Sequence, residues 1–140
     1  MLTVVTGPPA AGKTTYVKAN AQPGDIVIDL DALAVALGSP DSHNHPRAIA
    51  AVAQAARTAA IQAAATTRTA TWVIHTAPDP TQLDTYRAQG AQVVTIDPGE
   101  AVVRERIAGH RSPDTQQAAD RWYRTPGTSG RAEAARRQAG

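Results

Sequence analysis

The segment Gly7–Thr14 matches the phosphate-binding loop pattern G-x-x-x-x-G-K-[ST] at every fixed position, and it follows the mainly apolar run Leu2–Val5. A loop of this kind connects a strand to the N-terminus of a helix, and its successive backbone N–H groups converge on one anion. The pattern therefore constrains the N-terminal region to a strand, a loop and a helix. It also predicts a binding site for a polyphosphate.

Each position of the loop has an expected role. Gly7 and Gly12 permit backbone conformations and a close approach that a side chain would block. The Lys13 ammonium would reach the β- and γ-phosphates, and the Thr14 hydroxyl would ligate magnesium. The residues expected to contact the nucleotide are Gly7, Pro8, Pro9, Ala10, Ala11, Gly12, Lys13, Thr14 and Thr15.

The alternative is a tight turn that contains these residues by coincidence. The charge composition argues against it, because the chain has 12 arginines and only 2 lysines. A lysine nevertheless stands at Lys13, where the loop requires a compact point charge. We therefore interpret the segment as a nucleotide site.

The composition excludes several classes of protein. At 140 residues the chain has the size of one domain, too short for an ATPase module with a separate lid domain. It contains no cysteine, which excludes disulfides and thiolate metal sites. No apolar run approaches about 18 residues and no leader-like segment precedes the first strand, so we expect a cytoplasmic protein outside the membrane. The net charge of +2 permits contact with nucleic acid without requiring it.

Short β-type runs alternate with helical stretches along the chain. The expected strands are Leu2–Thr6, Ile26–Asp29, Trp72–Thr76 and Gln92–Ile96. The expected helices are Lys13–Asn20, Ala32–Leu37, Pro46–Thr66, Thr81–Gln89, Glu100–Ala108 and Asp114–Arg124. The face of the longest helix expected to pack on the sheet consists of Ile49, Val52, Ala53, Ala56, Ala60 and Ala63. The alternation predicts a three-layer α/β/α fold with a parallel sheet of about four to five strands.

Two carboxylates, Asp29 and Asp31, stand at the expected exit of the second strand. Ligands of open α/β sheets bind beyond the carboxyl ends of the strands, so both can project toward the phosphate loop if their strands are neighbours. Phosphoryl transfer requires positioning, a metal ion and a base. We expect Asp29 to orient magnesium and Asp31 to accept the proton of an attacking hydroxyl. Helix capping by Asp31 is the alternative.

The order of the motifs GPPAAGKTT, VIDLDAL, a long helix, WVIHTAP, YRAQGAQVVTIDP and an arginine-bearing helix resembles the P-loop kinases grouped around phage polynucleotide kinase and the zeta toxins. The resemblance covers roughly residues 1–124 and implies a P-loop NTPase fold of the nucleotide-kinase type that binds ATP, or GTP, with Mg²⁺. It maps the general base onto Asp31 and lid arginines onto the later helix. Leu30 stands where polynucleotide kinases have an arginine, and VIDLDAL is closer to the zeta-toxin form, whose substrates are nucleotide sugars.

The segment 104–113 is expected to act as the lid over the nucleotide. It contains Arg104, Arg106 and Arg111, and Gly109 can interrupt its helix. Such arginines neutralise the charge that spreads over a transferred phosphoryl group. Arg104 and Arg106 are two residues apart and point to different faces, and we expect Arg104 and Arg111 to take the catalytic role. A solvated helix face is the alternative.

Other segments carry weaker signals. His43 and His45 have the spacing of a metal pair, but they lack a cysteine or acidic cluster, so we interpret 38–46 as a surface loop beside the acceptor. Trp122 is expected to be a packing anchor. Residues 125–140 are expected to form a flexible or short helical tail, basic enough to contact a protein partner.

The sequence supports three functional hypotheses. The first is a kinase that transfers the γ-phosphate of ATP to a hydroxyl of a polynucleotide 5′ end, a nucleotide or a nucleotide sugar. The second is a nucleoside-triphosphate hydrolase or switch, disfavoured because His75 stands where an acidic pair would position water. The third is a nucleotide-binding module without turnover.

Overall fold

The computed structural model describes residues 1–110 and 113–124. Its strands are β1 (Leu2–Thr6), β2 (Ile26–Asp29), β3 (Thr71–Ile74) and β4 (Gln92–Thr95). Its helices are α1 (Lys13–Asn20), α2 (Leu30–Ala36), α3 (Arg47–Ala65), α4 (Pro80–Ala88), α5 (Glu100–His110) and α6 (Pro113–Arg124). These bounds lie within two residues of the expected ones, since turn residues and caps mark most of the boundaries in the sequence.

The strands form one parallel four-stranded sheet in the order β2-β3-β1-β4. Strand β3 lies between β1 and β2, so the strands that carry the phosphate loop and the carboxylates are not neighbours. Ile74 of β3 pairs with both Val5 of β1 and Asp29 of β2, and the three strands therefore end at the same level. At about 4.8 Å between neighbouring strands, the ends of β1 and β2 are about 10 Å apart. A ligand of nucleotide size can span that distance.

Helices cover both faces of the sheet. The core of one face, between the strands and helices α3 and α4, consists of Val4, Ile28, Val73, Ile61, Ala64 and Tyr86. The core of the other face, under α1, consists of Val5, Ile74 and Val17. Because successive side chains of a strand point to opposite faces, Val4 and Val5 separate into these two cores. The predicted three-layer α/β/α fold is confirmed.

Helix α3 packs on the sheet through a face that agrees with the expected one only in part, since Ala53 is buried and Ala60 packs against the core. Its buried residues are Ala53, Ile61 and Ala64, whereas Val52, expected on this face, is 55% exposed. The prediction was wrong for Val52, because alanines lie on every side of α3 and Ile61 rather than the alanine spacing decides which residues are buried. At 19 residues α3 is the longest helix described, and within the described ranges no helix is both long and apolar enough to cross a membrane.

Candidate active site

The loop between β1 and α1 combines three residues with left-handed or related backbone conformations. Gly7 has a φ of +150°, and a Cβ there would lie 2.1 Å from the carbonyl oxygen of Ile96. Gly12, the N-cap of α1, has a φ of +101°, and Ala10 has a φ of +61°. When positive-φ residues alternate with ordinary ones, successive N–H groups point inward and form a concave nest for an anion at the helix N-terminus.

Lys13 is held against this nest. Its side chain is buried, and Nζ donates hydrogen bonds to the carbonyl oxygens of Gly7 at 2.9 Å and Pro8 at 2.6 Å. Both acceptors belong to the phosphate loop, so the ammonium lies beside the converging N–H groups. A cation removed from bulk water attracts an anion more strongly than an exposed one. The position of Lys13 thus fits a polyphosphate site.

One cleft of about 1610 Å³ connects the phosphate loop with the carboxyl ends of β2 and β3. Residues 9–15 of the loop line it, and Asp29 and Asp31 line it at the β2–α2 junction. Helix α3 contributes Gln54 and Arg57. Thus the structure brings the phosphate loop and both predicted carboxylates to one cleft, although β3 separates their strands.

Asp29 ends β2 and caps the helix that follows it. Its Oδ1 accepts a hydrogen bond from the backbone N–H of Asp31 at 3.2 Å, which makes Asp29 the N-cap of α2. Burial, and next the negative charge of Asp31, raise the pKa of Asp29 above its ordinary value. Two carboxylates so close together favour a cation between or beside them. Because Asp29 caps the helix, the side chain of Asp31 is not used for capping.

Asp31 instead contacts two histidines of the loop that follows α2. His45 Nε2 lies 2.7 Å from Asp31 Oδ1, and His43 Nδ1 lies 3.2 Å from Asp31 Oδ2. The side chain of Asp31 is 42% exposed, so it remains open to the cleft. The sequence interpretation of 38–46 as a surface loop missed these contacts, which depend on the path of the loop back toward Asp31.

The arginines of α5 point to opposite sides. Arg106 Nη1 donates a hydrogen bond to the carbonyl oxygen of Ala10 at 2.9 Å and lines the cleft. Arg104 pairs instead with Glu100 at 3.1 Å and Asp120 of α6 at 2.6 Å, away from the cleft lining. The catalytic role expected for Arg104 stays a prediction, and in this structure Asp120 attracts its guanidinium to the α6 side. Arg111, the other expected lid arginine, lies outside the described residues.

Helix α6 is fastened to the sheet by Asp97, a buried residue that follows β4. The Asp97 carboxylate accepts hydrogen bonds from Trp122 Nε1 at 3.1 Å, from the Tyr123 hydroxyl at 2.8 Å and from the Gly99 N–H at 2.9 Å. Burial, and next the hydrogen bond to Asp97, raise the pKa of Tyr123. These contacts hold α6 where Arg121 lines the cleft, a residue that the sequence did not single out.

The same cleft is lined by Arg57 of α3 and by His75, which follows β3. Arg57 lines it, and within residues 1–110 and 113–124 its guanidinium has no ion-pair or hydrogen-bond partner. His75 Nδ1 lies 2.8 Å from the Tyr86 hydroxyl. Burial, and next the charge of Arg57, lower the pKa of His75 to about 4. His75 is consequently neutral near pH 7 and leaves Arg57 available for an anionic ligand.

The donor set fits a magnesium–nucleotide complex. Magnesium is usually held by one or two carboxylates together with phosphate oxygens of the substrate. Thr14 presents its hydroxyl at the exposed first turn of α1, and Asp29 lines the same cleft. In the part of the chain that the structure describes, no three His, Cys, Asp or Glu side chains form a metal cluster. The ion would therefore depend on the nucleotide phosphates for the rest of its ligands.

The parallel α/β/α fold and the phosphate-loop nest define a nucleotide-binding P-loop domain of the kinase-like type. A family model described as AAA domain matches residues 2–125, and the chain belongs to that family. The resemblance to P-loop kinases expected from the sequence is thereby confirmed.

The fold is also similar to that of solved structures. The fold superposes on a chain of the Pnkp1/Rnl/Hen1 RNA repair complex with a TM-score of 0.68 and 11% sequence identity. The superposition covers 98% of this chain and 45% of the other, so this chain spans less than half the length of its structural relative. At that identity the likeness shows a shared fold. A search of curated protein sequences finds no match.

Proposed function

We propose that this protein is a magnesium-dependent kinase that transfers the γ-phosphate of ATP to a hydroxyl group. The observation that carries the proposal is the single cleft in which the Lys13 loop and the Asp31 carboxylate both lie. The loop supplies the features that bind a phosphate donor. The Asp31 carboxylate, two residues beyond β2, can accept the proton of an acceptor hydroxyl.

The donor half of the site is the phosphate loop. Its N–H groups and the buried ammonium of Lys13 would hold the β- and γ-phosphates. Thr14 and Asp29 would hold Mg²⁺, which neutralises phosphate charge when it is bound. The contacts proposed for this half are made to phosphates, so they would be the same for ATP and GTP.

Asp31 is the proposed general base. The acceptor hydroxyl oxygen forms a bond to the γ-phosphorus while the bond from that phosphorus to the β–γ bridging oxygen breaks. The diphosphate leaves with the electron pair of the broken bond, and the hydroxyl proton passes to Asp31. Exposure of the carboxylate at the cleft and the absence of a capping role support this assignment.

Arg106 is the proposed closing arginine. Its guanidinium already contacts the phosphate loop at Ala10 and borders the cleft. A cation in that position can neutralise charge on the transferred phosphoryl group. Arg121 of α6 lines the cleft as well and would act on the same charge.

The acceptor proposed for the site carries a phosphate of its own. Polynucleotide 5′ ends, nucleotides and nucleotide sugars share this group, and Arg57 lies in the cleft without a protein partner among the described residues. A planar guanidinium binds phosphate oxygens through two parallel hydrogen bonds. A neutral nucleoside would lack that contact.

The test is an assay with ATP labelled at the γ-phosphate, magnesium and separate pools of 5′-hydroxyl oligonucleotides, nucleotides, nucleotide sugars and nucleosides. Transfer of the label to a phosphate-bearing acceptor, lost in Lys13→Ala, is the expected result. Release of inorganic phosphate alone would favour a hydrolase. Nucleotide binding without transfer or release would favour a module without turnover.

A further inference from the structure

The loop between α2 and α3 is held by local hydrogen bonds and returns along α2. Gly38, with a φ of +110°, ends α2, and the Ser39 N–H donates to the Ala34 carbonyl oxygen at 2.9 Å. Further along, Asp41 Oδ1 accepts hydrogen bonds from the N–H groups of His43 at 2.8 Å and Asn44 at 2.9 Å. These local bonds fix the loop, and with it the two histidines, beside Asp31.

The two histidines contact different oxygens of Asp31, and they differ in solvent exposure. His45, at Oδ1, has a side chain that is 8% exposed, whereas His43, at Oδ2, has one that is 44% exposed. The contact from His45 to Oδ1 is also the shorter one, at 2.7 Å, against 3.2 Å from His43 to Oδ2. Oδ1 is therefore held by a buried donor, and Oδ2 lies on the solvent side, where a ligand can compete with His43.

Ser39 completes a chain of hydrogen bonds behind His45. Its Oγ lies 2.6 Å from His45 Nδ1, and its side chain is buried. Since an ionised carboxylate only accepts, His45 Nε2 must carry a proton to bind Asp31. If the ring is neutral, Nδ1 then accepts a hydrogen bond from the Ser39 hydroxyl. If the ring is charged, Nδ1 donates to Ser39, whose hydroxyl donates to the Asp41 carbonyl oxygen at 2.9 Å.

We propose that His45, held by Ser39, is a positioning residue for Asp31. It fixes Oδ1 so that Oδ2 faces the hydroxyl of the acceptor. The inference rests on the proposed kinase function and adds to it the element that orients the base. The charge of Asp29 repels that of Asp31, which increases the need for a donor on Oδ1.

The position matters because a free carboxylate rotates about its Cβ–Cγ bond and presents its oxygens in many directions. A hydrogen bond from a buried donor removes that freedom before the acceptor binds, and preorganised geometry raises the rate of the chemical step. His45 is therefore expected to affect kcat for transfer more than the KM for ATP, whose contacts lie in the phosphate loop.

The test compares His45→Ala, His45→Gln and Ser39→Ala with the wild-type chain for transfer to the preferred acceptor. We expect His45→Ala to lower kcat roughly 10- to 100-fold, the usual loss for one hydrogen bond to a charged group, with the KM for ATP within about twofold. His45→Gln retains an N–H donor at similar reach and should recover most of that loss. Ser39→Ala should lower kcat by a few-fold.

His43→Ala is the matched comparison, because it removes an exposed donor to the same carboxylate. It should lower kcat less than His45→Ala does, and an equal or larger loss would contradict the assignment of Oδ1 as the fixed oxygen. Thermal unfolding of each variant accompanies the assay. Should His45→Ala fail to fold, His45→Gln and Ser39→Ala still decide the matter, and wild-type kcat in Ser39→Ala together with an unrescued His45→Gln would overturn the proposal.

A second measurement does not depend on activity. Long-range ¹H–¹⁵N spectra of the imidazoles in the wild-type chain at neutral pH should show a proton on His45 Nε2, and an unprotonated Nε2 would contradict the proposed bond to Asp31. If the wild-type chain transfers phosphate to no acceptor, the proposed function fails while this spectrum still reports on the contact. If transfer requires Asp31 but His45→Ala matches the wild type, the positioning role alone fails.

Discussion

Arg106 donates a hydrogen bond to the carbonyl oxygen of Ala10 at 2.9 Å, across 96 positions of the sequence. Ala10 is the non-glycine residue of the phosphate loop with a left-handed backbone, at a φ of +61°. A left-handed alanine is strained relative to glycine, so its conformation requires support from outside the loop. Helix α5 supplies that support and at the same time brings a guanidinium to the nucleotide site.

The first prediction concerns this contact. Arg106→Ala should lower kcat/KM for phosphoryl transfer by at least about tenfold, because it removes both a loop contact and a cation near the transferred phosphoryl group. Arg104→Ala removes an arginine from the same helix, where it pairs with Glu100 and Asp120. The kcat/KM of that variant should remain within about threefold of the wild type, because Arg104 is not among the residues that line the cleft. Its partly exposed ion pairs also contribute little to stability. Steady-state kinetics of both variants provides the check, and the reverse order of effects would restore Arg104 as the lid arginine.

The second prediction concerns Gly7. A Cβ at this position would lie 2.1 Å from the Ile96 carbonyl oxygen. Gly7→Ala should therefore displace the loop and abolish detectable binding of ATP, measured by calorimetry. Gly109 provides the comparison, because it lies in α5 and a Cβ there would meet no atom within 4 Å. Gly109→Ala should stabilise the protein by about 0.5–1 kcal/mol and leave ATP binding intact.

The third prediction concerns the anchoring of α6. Asp97→Ala would leave the buried Trp122 indole N–H and its neighbouring donors without their acceptor. We expect a loss of about 2–4 kcal/mol in the free energy of unfolding, measured with urea. Tyr123→Phe removes one donor and keeps the carboxylate, so it should cost about 1 kcal/mol. A smaller cost for Asp97→Ala than for Tyr123→Phe would show that Asp97 does not hold the helix.

The fourth prediction is a pH dependence of stability from His75. Its pKa is about 4 in the folded chain against an ordinary 6.5, so the unfolded chain binds more protons between these values. The contribution of His75 to stability is thus present above pH 6.5 and is lost as the pH falls toward 4. Relative to His75→Gln, the wild type should lose about 1–2 kcal/mol over that window, after allowance for its partial exposure. If the difference in free energy of unfolding between the wild type and His75→Gln stayed constant from pH 7 to pH 4, the lowered pKa of His75 would be refuted.

Much of the fold follows from the sequence because local signals agree. The glycine-rich loop, the β-type runs and the capping residues mark nearly every element within two residues. The face of α3 followed only in part, since an alanine-rich helix has little apolar contrast around its surface. The strand order did not follow either, because the placement of β3 between β1 and β2 depends on packing between distant segments.

The site was predicted in part. Lys13, Asp29 and Asp31 lie in one cleft, as their places at strand ends suggested. The choice between Arg104 and Arg106 required knowledge of where α6 places Asp120. The tertiary fold brings Arg57 and Ser39 to the site, and no motif in the sequence distinguishes them from surface residues.

The most direct test of the account compares wild type, Lys13→Ala and Asp31→Asn for both ATP binding and phosphoryl transfer. Asp31→Asn is nearly isosteric and removes the base, so we expect wild-type ATP affinity with a loss of transfer of at least about 100-fold. Lys13→Ala should lose both binding and transfer. Full transfer activity in Asp31→Asn would contradict the central claim that one cleft holds a phosphate loop and an opposing base.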